Sequence, residues 1–228
     1  MSPIWSAGSG CVLGRAHAAL RRNRQDAVVA RASDRWALGV VSDGCGSGKG
    51  SEVGAALSAA MVATSIERDL SRGVPLDAVA SRALAAVVSL GDVAARVGDG
   101  AFARDHLLAT VVAFAAQGDD AIVFAAGDGV ALVDGEVALF ERDNRPDYPA
   151  YELAGRSVTL EIRRVRGART LAVATDGFDR ASIDAITGAP RRGDLGRALV
   201  KLQREGAFED DAAIAIARRC EESGPCAS

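Results

Sequence analysis

The stretch Val40 to Ala55, VVSDGCGSGKGSEVGA, constrains the chain most. It begins as an apolar strand, ends that strand on Asp43, loosens through glycines and opens a helix at Ser51 and Glu52. Three other stretches repeat the first half of that design. Ala121 to Asp128 (AIVFAAGD) and Thr170 to Asp176 (TLAVATD) run apolar residues into an aspartate, and Asp210-Asp211 leads into AAIAIA in mirror order. Asp26 follows the basic segment Arg21-Arg22-Asn23-Arg24-Gln25 and adjoins a further β segment. Five carboxylates, on Asp26, Asp43, Asp128, Asp176 and Asp210, are thus expected at strand ends.

A carboxylate packed against an apolar sheet is costly unless it is paired or bound to metal. Several gathered at one sheet end repel, and a divalent cation is the simplest compensation. Oxygen ligands without neighbouring His or Cys select hard ions, Mg2+ or Mn2+. Gly44 after Asp43 lets a backbone carbonyl approach the same ion. Taken singly, an Asp-Gly pair is ordinary turn chemistry, and Asp134-Gly135 reads that way. The argument rests on repetition: Asp43-Gly44, Asp128-Gly129 and Asp176-Gly177 each follow an apolar strand.

The bulk properties close off other classes. At 228 residues and 49% hydrophobic the chain suits one folded domain, 1–228. A net charge of −3 argues against a nucleic-acid partner. No apolar run approaches the roughly 20 residues that span a bilayer, and no targeting segment is visible. A cytoplasmic monomer without membrane partners is expected. Cys11, Cys45, Cys220 and Cys226 form no C-x-x-C pair and are expected as reduced thiols.

In order, the pattern predicts strands at 11–20, 25–30 and 36–41. Helices follow at 51–70, with an apolar stripe of Val53, Ala56, Leu57, Ala60, Val62 and Ile66, and at 76–97. From His106 the character turns to β: strands at 107–114 and 121–126, then a hairpin of 129–133 and 136–140 across Asp134-Gly135. Residues 141–156 read as a surface loop. Strands at 158–163 and 170–175 are expected to pair across Arg166-Gly167. Helices at 182–186 and 195–204 and a strand at 212–217 complete an α+β chain.

Seven motifs in order resemble one family. Gln25-Asp26-Ala27, Val41-Ser42-Asp43-Gly44, Ser51-Glu52-Val53-Gly54-Ala55, Ala109-Thr110-Val111-Val112, Gly127-Asp128-Gly129, Ala174-Thr175-Asp176-Gly177 and Asp210-Asp211 are similar to those of the PP2C-type metal-dependent phosphatases, in their compact bacterial branch. The likeness covers about residues 12–217. It implies a four-layer α-β-β-α sandwich of two antiparallel sheets flanked by helix pairs. It also implies hydrolysis of phosphoserine and phosphothreonine in protein substrates, by a metal-bridging water attacking in line. By the same likeness Asp43 bridges two Mn2+ or Mg2+ ions, with the Gly44 carbonyl on one and Asp176 and Asp210 on the other. Asp128 with Asp176 matches a third, weaker ion position. Gln25, Asp26 and Asp211 support the site from behind. Arg21, four residues before Gln25, has the spacing of the phosphate-binding arginine, with Arg22 and Arg24 as alternatives.

Some residues depart from the pattern. Gln25 replaces the usual Glu, Asp211 the usual Asn, and Cys45 stands where animal members carry histidine. His17 and His106 are isolated in sequence. A catalytically weakened, partner-binding domain is the second reading, favoured by Gln25 and opposed by Asp43, Asp176 and Asp210. A nucleotide-binding loop at Gly48-Lys49 fails, because Asp43 and Gly50 occupy two of that motif's fixed positions.

Overall fold

The computed structural model describes residues 4–97, 100–141, 146–187 and 192–220. Its elements are β1 (Ile4–Val12), α1 (Arg15–Ala19), β2 (Ala27–Ala32), β3 (Trp36–Ser42), α2 (Ser51–Ser71), α3 (Leu76–Val97) and α4 (Gly100–His106). Then come β4 (Val111–Gln117), β5 (Asp120–Ala126), β6 (Gly129–Val133), β7 (Glu136–Phe140) and a 3-10 turn at Pro149–Ala154. The chain closes with β8 (Glu161–Arg166), β9 (Thr170–Ala174), α5 (Arg180–Thr187), α6 (Arg192–Arg204) and β10 (Ala212–Cys220).

The strands form two five-stranded antiparallel sheets, ordered β2-β3-β4-β5-β8 and β1-β10-β9-β6-β7. Side chains of a strand alternate between faces, and β4 shows what each face meets. Val111, Ala113 and Ala115 pack with α2 and α3, whereas Val112, Phe114 and Ala116 pack against the other sheet. The second sheet turns Val130, Leu132, Ile214 and Ile216 outward onto Ile183, Ile186, Leu195 and Leu199 of α5 and α6. The four-layer order helices, sheet, sheet, helices is the predicted one. Strands covered on both sides account for the unbroken apolar runs.

Several local expectations fail for physical reasons. The strand expected at 11–20 keeps only Cys11 and Val12: β1 ends at Val12 and α1 begins at Arg15. The true first strand, rich in Ser, Ala and Gly, carries little β signal but pairs with β10 from Ile4↔Cys220 to Val12↔Ala212. The stripe on α2 is displaced, since Val53 and Leu57 are exposed while Gly54, Ala55, Ser58, Ala59, Val62, Ala63 and Ile66 are buried. Small residues, not large ones, face the sheet there. The strands around Gly167 do not pair with each other: β8 joins β5 and β9 joins β6 and β10, so this corner crosses between sheets. Part of the expected 141–156 loop is the 3-10 turn, with Tyr148 and Pro149 buried. Cys11 and Cys45 are free thiols, but Cys220 is disulfide-bonded, against the expectation of thiols throughout. Cys226 lies outside the described residues. Among the described residues no helix is long and apolar enough to cross a membrane.

Candidate metal centre

Strand register builds the site. The last β2–β3 pair is Ala27↔Ser42, so Asp26 and Asp43 stand opposite each other one step beyond it, and their side chains share a hydrogen bond. The β3–β4 ladder continues past its strand ends through an isolated bridge between Gly44 and Ala109. Thr110 locks this extension. Its N–H donates to the Asp43 carbonyl at 2.8 Å, and its Oγ1 accepts the Asp43 N–H at 3.1 Å. The Ser42 hydroxyl in turn donates to the Thr110 carbonyl at 2.6 Å. Next in the sheet comes Gly127 at φ 103, where a Cβ would stand 2.8 Å from the Thr110 Cβ. That left-handed, crowded position admits only glycine and turns Asp128 toward the same edge.

The second sheet supplies the facing groups. Thr175, just beyond β9, accepts the Ala213 N–H at 2.9 Å and donates its hydroxyl across the gap to Asp26 Oδ2 at 2.6 Å. Asp176 follows it. Gly177 lies so close to the other loop that a Cβ there would meet the Asp211 carbonyl oxygen at 2.0 Å. This contact seats Asp176 beside the loop of Asp210 and Asp211.

Crowding and burial shift the pKa values of these carboxylates. Burial, with the charges of Asp211 and Asp176, raises Asp26 to about 7, although hydrogen bonds from Thr175 and Asp43 oppose the rise. Burial and the charges of Asp26, Asp176 and Asp128 push Asp43 well above the ordinary carboxylate range. Burial together with Asp128 and Asp210 raises Asp176. Burial and mutual repulsion thus favour the protonated forms of Asp26 and Asp43, and a divalent ion could take a proton's place.

Other donors suit such an ion. Gln25 is 6% exposed, and its Nε2 donates to Ser51 Oγ at 2.7 Å, but its Oε1 is buried without a hydrogen-bond partner. Orphaned buried oxygens of this kind call for an explanation. Gly44 is the non-hydrogen-bonded member of its bridge, flanked by Thr110 N–H to Asp43 O and Cys45 N–H to Leu108 O, so its carbonyl is left out of the ladder. A side chain at Gly44 would strike the carbonyls of Gln25 and Ser51 at 2.9 and 2.8 Å. The residues present therefore fit a hard cation.

The structure brings Asp26, Asp43, Asp128, Asp176, Asp210, Asp211, Gln25 and Gly44 to one edge. Asp134 is set apart as a turn residue, accepting the Arg169 and Thr170 N–H groups. Of the three arginines, Arg22 reaches the Gly46 carbonyl at 3.4 Å and Arg24 the Asp26 carbonyl at 3.0 Å. Arg21 is exposed, and among the described residues its guanidinium makes no hydrogen bond or ion pair.

Sequence reasoning missed two neighbours. His17, called isolated, lies 2.8 Å from Asp211 and 3.8 Å from Asp210, the three ligand-type atoms falling within 4.8 Å of one another. Tyr148, placed in a surface loop, is buried and hydrogen-bonds the Cys45 thiol. Burial and the charges of Asp43 and Asp128 raise its phenol. Burial alone would raise the Cys45 thiol, but hydrogen bonds from Ser47 and Tyr148 outweigh it and the pKa is lowered. No spacing in the sequence links residues 17 and 211, or 45 and 148.

No curated protein matches the chain in sequence. Among solved structures, the serine/threonine phosphatase Stp1 from Staphylococcus aureus superposes with TM-score 0.66 at 14% identity, covering 97% of each chain. The Mycobacterium tuberculosis serine/threonine phosphatase PstP/Ppp gives 0.63 at 17% identity, covering 96% of this chain and 100% of the other. RsbX in complex with magnesium gives 0.60 at 13% identity, covering 95% and 96%. At such identities these likenesses establish the fold. The model of the family described as protein phosphatase 2C matches residues 13–194, and the chain belongs to that family.

Proposed function

We propose that the chain hydrolyses phosphoserine and phosphothreonine monoesters of protein substrates with two bound divalent cations, Mn2+ or Mg2+. One observation carries the reading. Carboxylates from separate segments of two sheets converge beside an unpartnered buried amide oxygen, where burial and mutual repulsion raise their pKa values and a cation would relieve both. Asp43 would be the ligand shared between two ions. The Gly44 carbonyl and Gln25 Oε1 would hold one of them and Asp176 and Asp210 the other, while Asp128 with Asp176 would offer a third, weaker position. When bound, such cations lower the pKa of water toward neutrality and screen the phosphate charge.

The protein's own groups orient. Thr175 and Asp26 fix Asp43 from behind, Thr110 fixes its backbone, and the unengaged Arg21 guanidinium offers a fork to phosphate oxygens. This chemistry requires no protein nucleophile. The test is Mn2+-dependent turnover of p-nitrophenyl phosphate and of a phosphothreonine peptide. Asp43→Asn should cut turnover at least about a hundredfold and weaken Mn2+ binding in calorimetry. A protein that binds no divalent ion refutes the proposal. Gln25, a neutral donor where the family has a carboxylate, favours one other reading, a weakened member that acts by binding; Mn2+ uptake without turnover would mark it.

A further inference from the structure

One carboxylate grips both ends of the segment between β1 and β2. Asp211 is 3% exposed, and its Oδ1 accepts the Gly14 N–H at 2.8 Å. Its Oδ2 takes both the Gln25 N–H at 2.6 Å and His17 Nδ1 at 2.8 Å. A carboxylate only accepts, so the hydrogen sits on Nδ1. Helix α1, five residues long with none buried, cannot persist by itself. Besides this grip, the Arg15 and Ala16 N–H groups hold it by donating to the Phe208 and Glu209 carbonyls at 3.3 and 3.0 Å.

The helix stops in a two-bond turn. The Arg21 N–H donates to Ala18 O at 3.2 Å and the Arg22 N–H to His17 O at 3.0 Å. Between them Arg21 has φ 54, the left-handed place that helix ends usually give to glycine. Arginine here is tolerated against backbone preference.

We propose that His17 is the positioning residue for Arg21. Its carbonyl closes the turn that carries Arg21, and its side chain ties that turn to Asp211, where Gln25 ties the other end. The backbone from which the Arg21 side chain leaves is thereby held in one place, which lowers the ordering cost of engaging the oxygens of a phosphate monoester. This deepens, and rests on, the phosphatase reading.

The experiment compares wild type, His17→Ala, His17→Asn, Arg21→Ala and the His17→Ala/Arg21→Ala double variant, all loaded with Mn2+. It measures KM and kcat for p-nitrophenyl phosphate and the dissociation constants of inorganic phosphate and Mn2+. His17→Ala should raise KM and the phosphate constant about tenfold, the scale of one lost charge-assisted hydrogen bond, with Mn2+ affinity held within about threefold. His17→Asn, whose amide can reach Asp211 from the Nδ1 position, should restore most of the loss. In the Arg21→Ala background, His17→Ala should add nothing further, which a merely structural role would not produce. Additive losses, or Mn2+ affinity falling in step with KM, overturn the proposal. A wild type that turns over and binds phosphate while His17→Ala equals it overturns this proposal alone. A wild type that does neither brings down the phosphatase reading as well.

Discussion

The raised carboxyls of Asp26 and Asp43 should make the cation-free protein lose stability as pH rises, and Asp26→Asn should remove the Asp26 share of that loss. Asp26 moves from an ordinary 3.8 to about 7 in the fold. Between those values the folded state binds more protons than the unfolded chain, so unfolding free energy falls with increasing pH. The Asp26 contribution is complete below about pH 4 and gone above about pH 7. At about 1.4 kcal/mol per pH unit the Asp26 share of the loss is about 4 kcal/mol, and Asp43, raised by its own burial, adds to it. For a chain of this size the Asp26 share corresponds to about 10 °C in Tm. Asparagine at position 26 is neutral at every pH, and its carbonyl oxygen can accept the Thr175 hydroxyl, which now donates to Asp26 Oδ2 at 2.6 Å. In EDTA at pH 8 the variant should melt about 10 °C above wild type, with the gap closing near pH 4. Saturating Mn2+ should reverse the order, because the variant loses a carboxylate beside the ions. Parallel melting curves from pH 4 to 8, or a variant less stable than wild type at pH 8 in EDTA, would refute the reasoning.

Two further substitutions probe the same edge. Gln25→Glu places a charged oxygen at the unpartnered Oε1 position; calorimetry should show Mn2+ binding about tenfold tighter, while the cation-free protein melts lower at pH 8. Arg21→Gly should hold stability or raise it by up to about 1 kcal/mol, because the left-handed backbone no longer costs anything. Its KM for a phosphate monoester should still rise at least about tenfold, and an unchanged KM would remove Arg21 from the site.

The sequence shows the acidic rim because each strand end is written twice, in an apolar run and in the residue that stops it. Register then does the gathering: once Ala27 pairs with Ser42, Asp26 must face Asp43. The β6–β7 hairpin was legible for a similar reason, with Asp134 and Gly135 both at positive φ as their turn requires. Contacts that depend on where a short helix docks leave no such mark. Helix α1 is fixed by bonds to residues almost two hundred positions away, so nothing around His17 announces Asp211. Strand β1 was hidden because its small residues make room for α6; a Cβ on Gly10 would meet Leu199 Cδ1 at 2.3 Å. Local propensity points away from a strand there, and tertiary packing prevails.

The carboxylates are divided between sheets, Asp26, Asp43 and Asp128 on one and Asp176, Asp210 and Asp211 on the other. Their mutual repulsion therefore acts across the interface that also contains the main core, Phe114, Val112, Val173 and Ala215 among its members. The Thr175 to Asp26 hydrogen bond spans the two sheets directly at this rim. Cations bound here would neutralise charge on both sides of the sandwich at once, so metal affinity and sheet-to-sheet stability are one linked quantity. Neutralising an acid at the rim should stabilise the empty fold and weaken the loaded one. A core substitution such as Val112→Ala should instead lower the Tm of both forms by similar amounts.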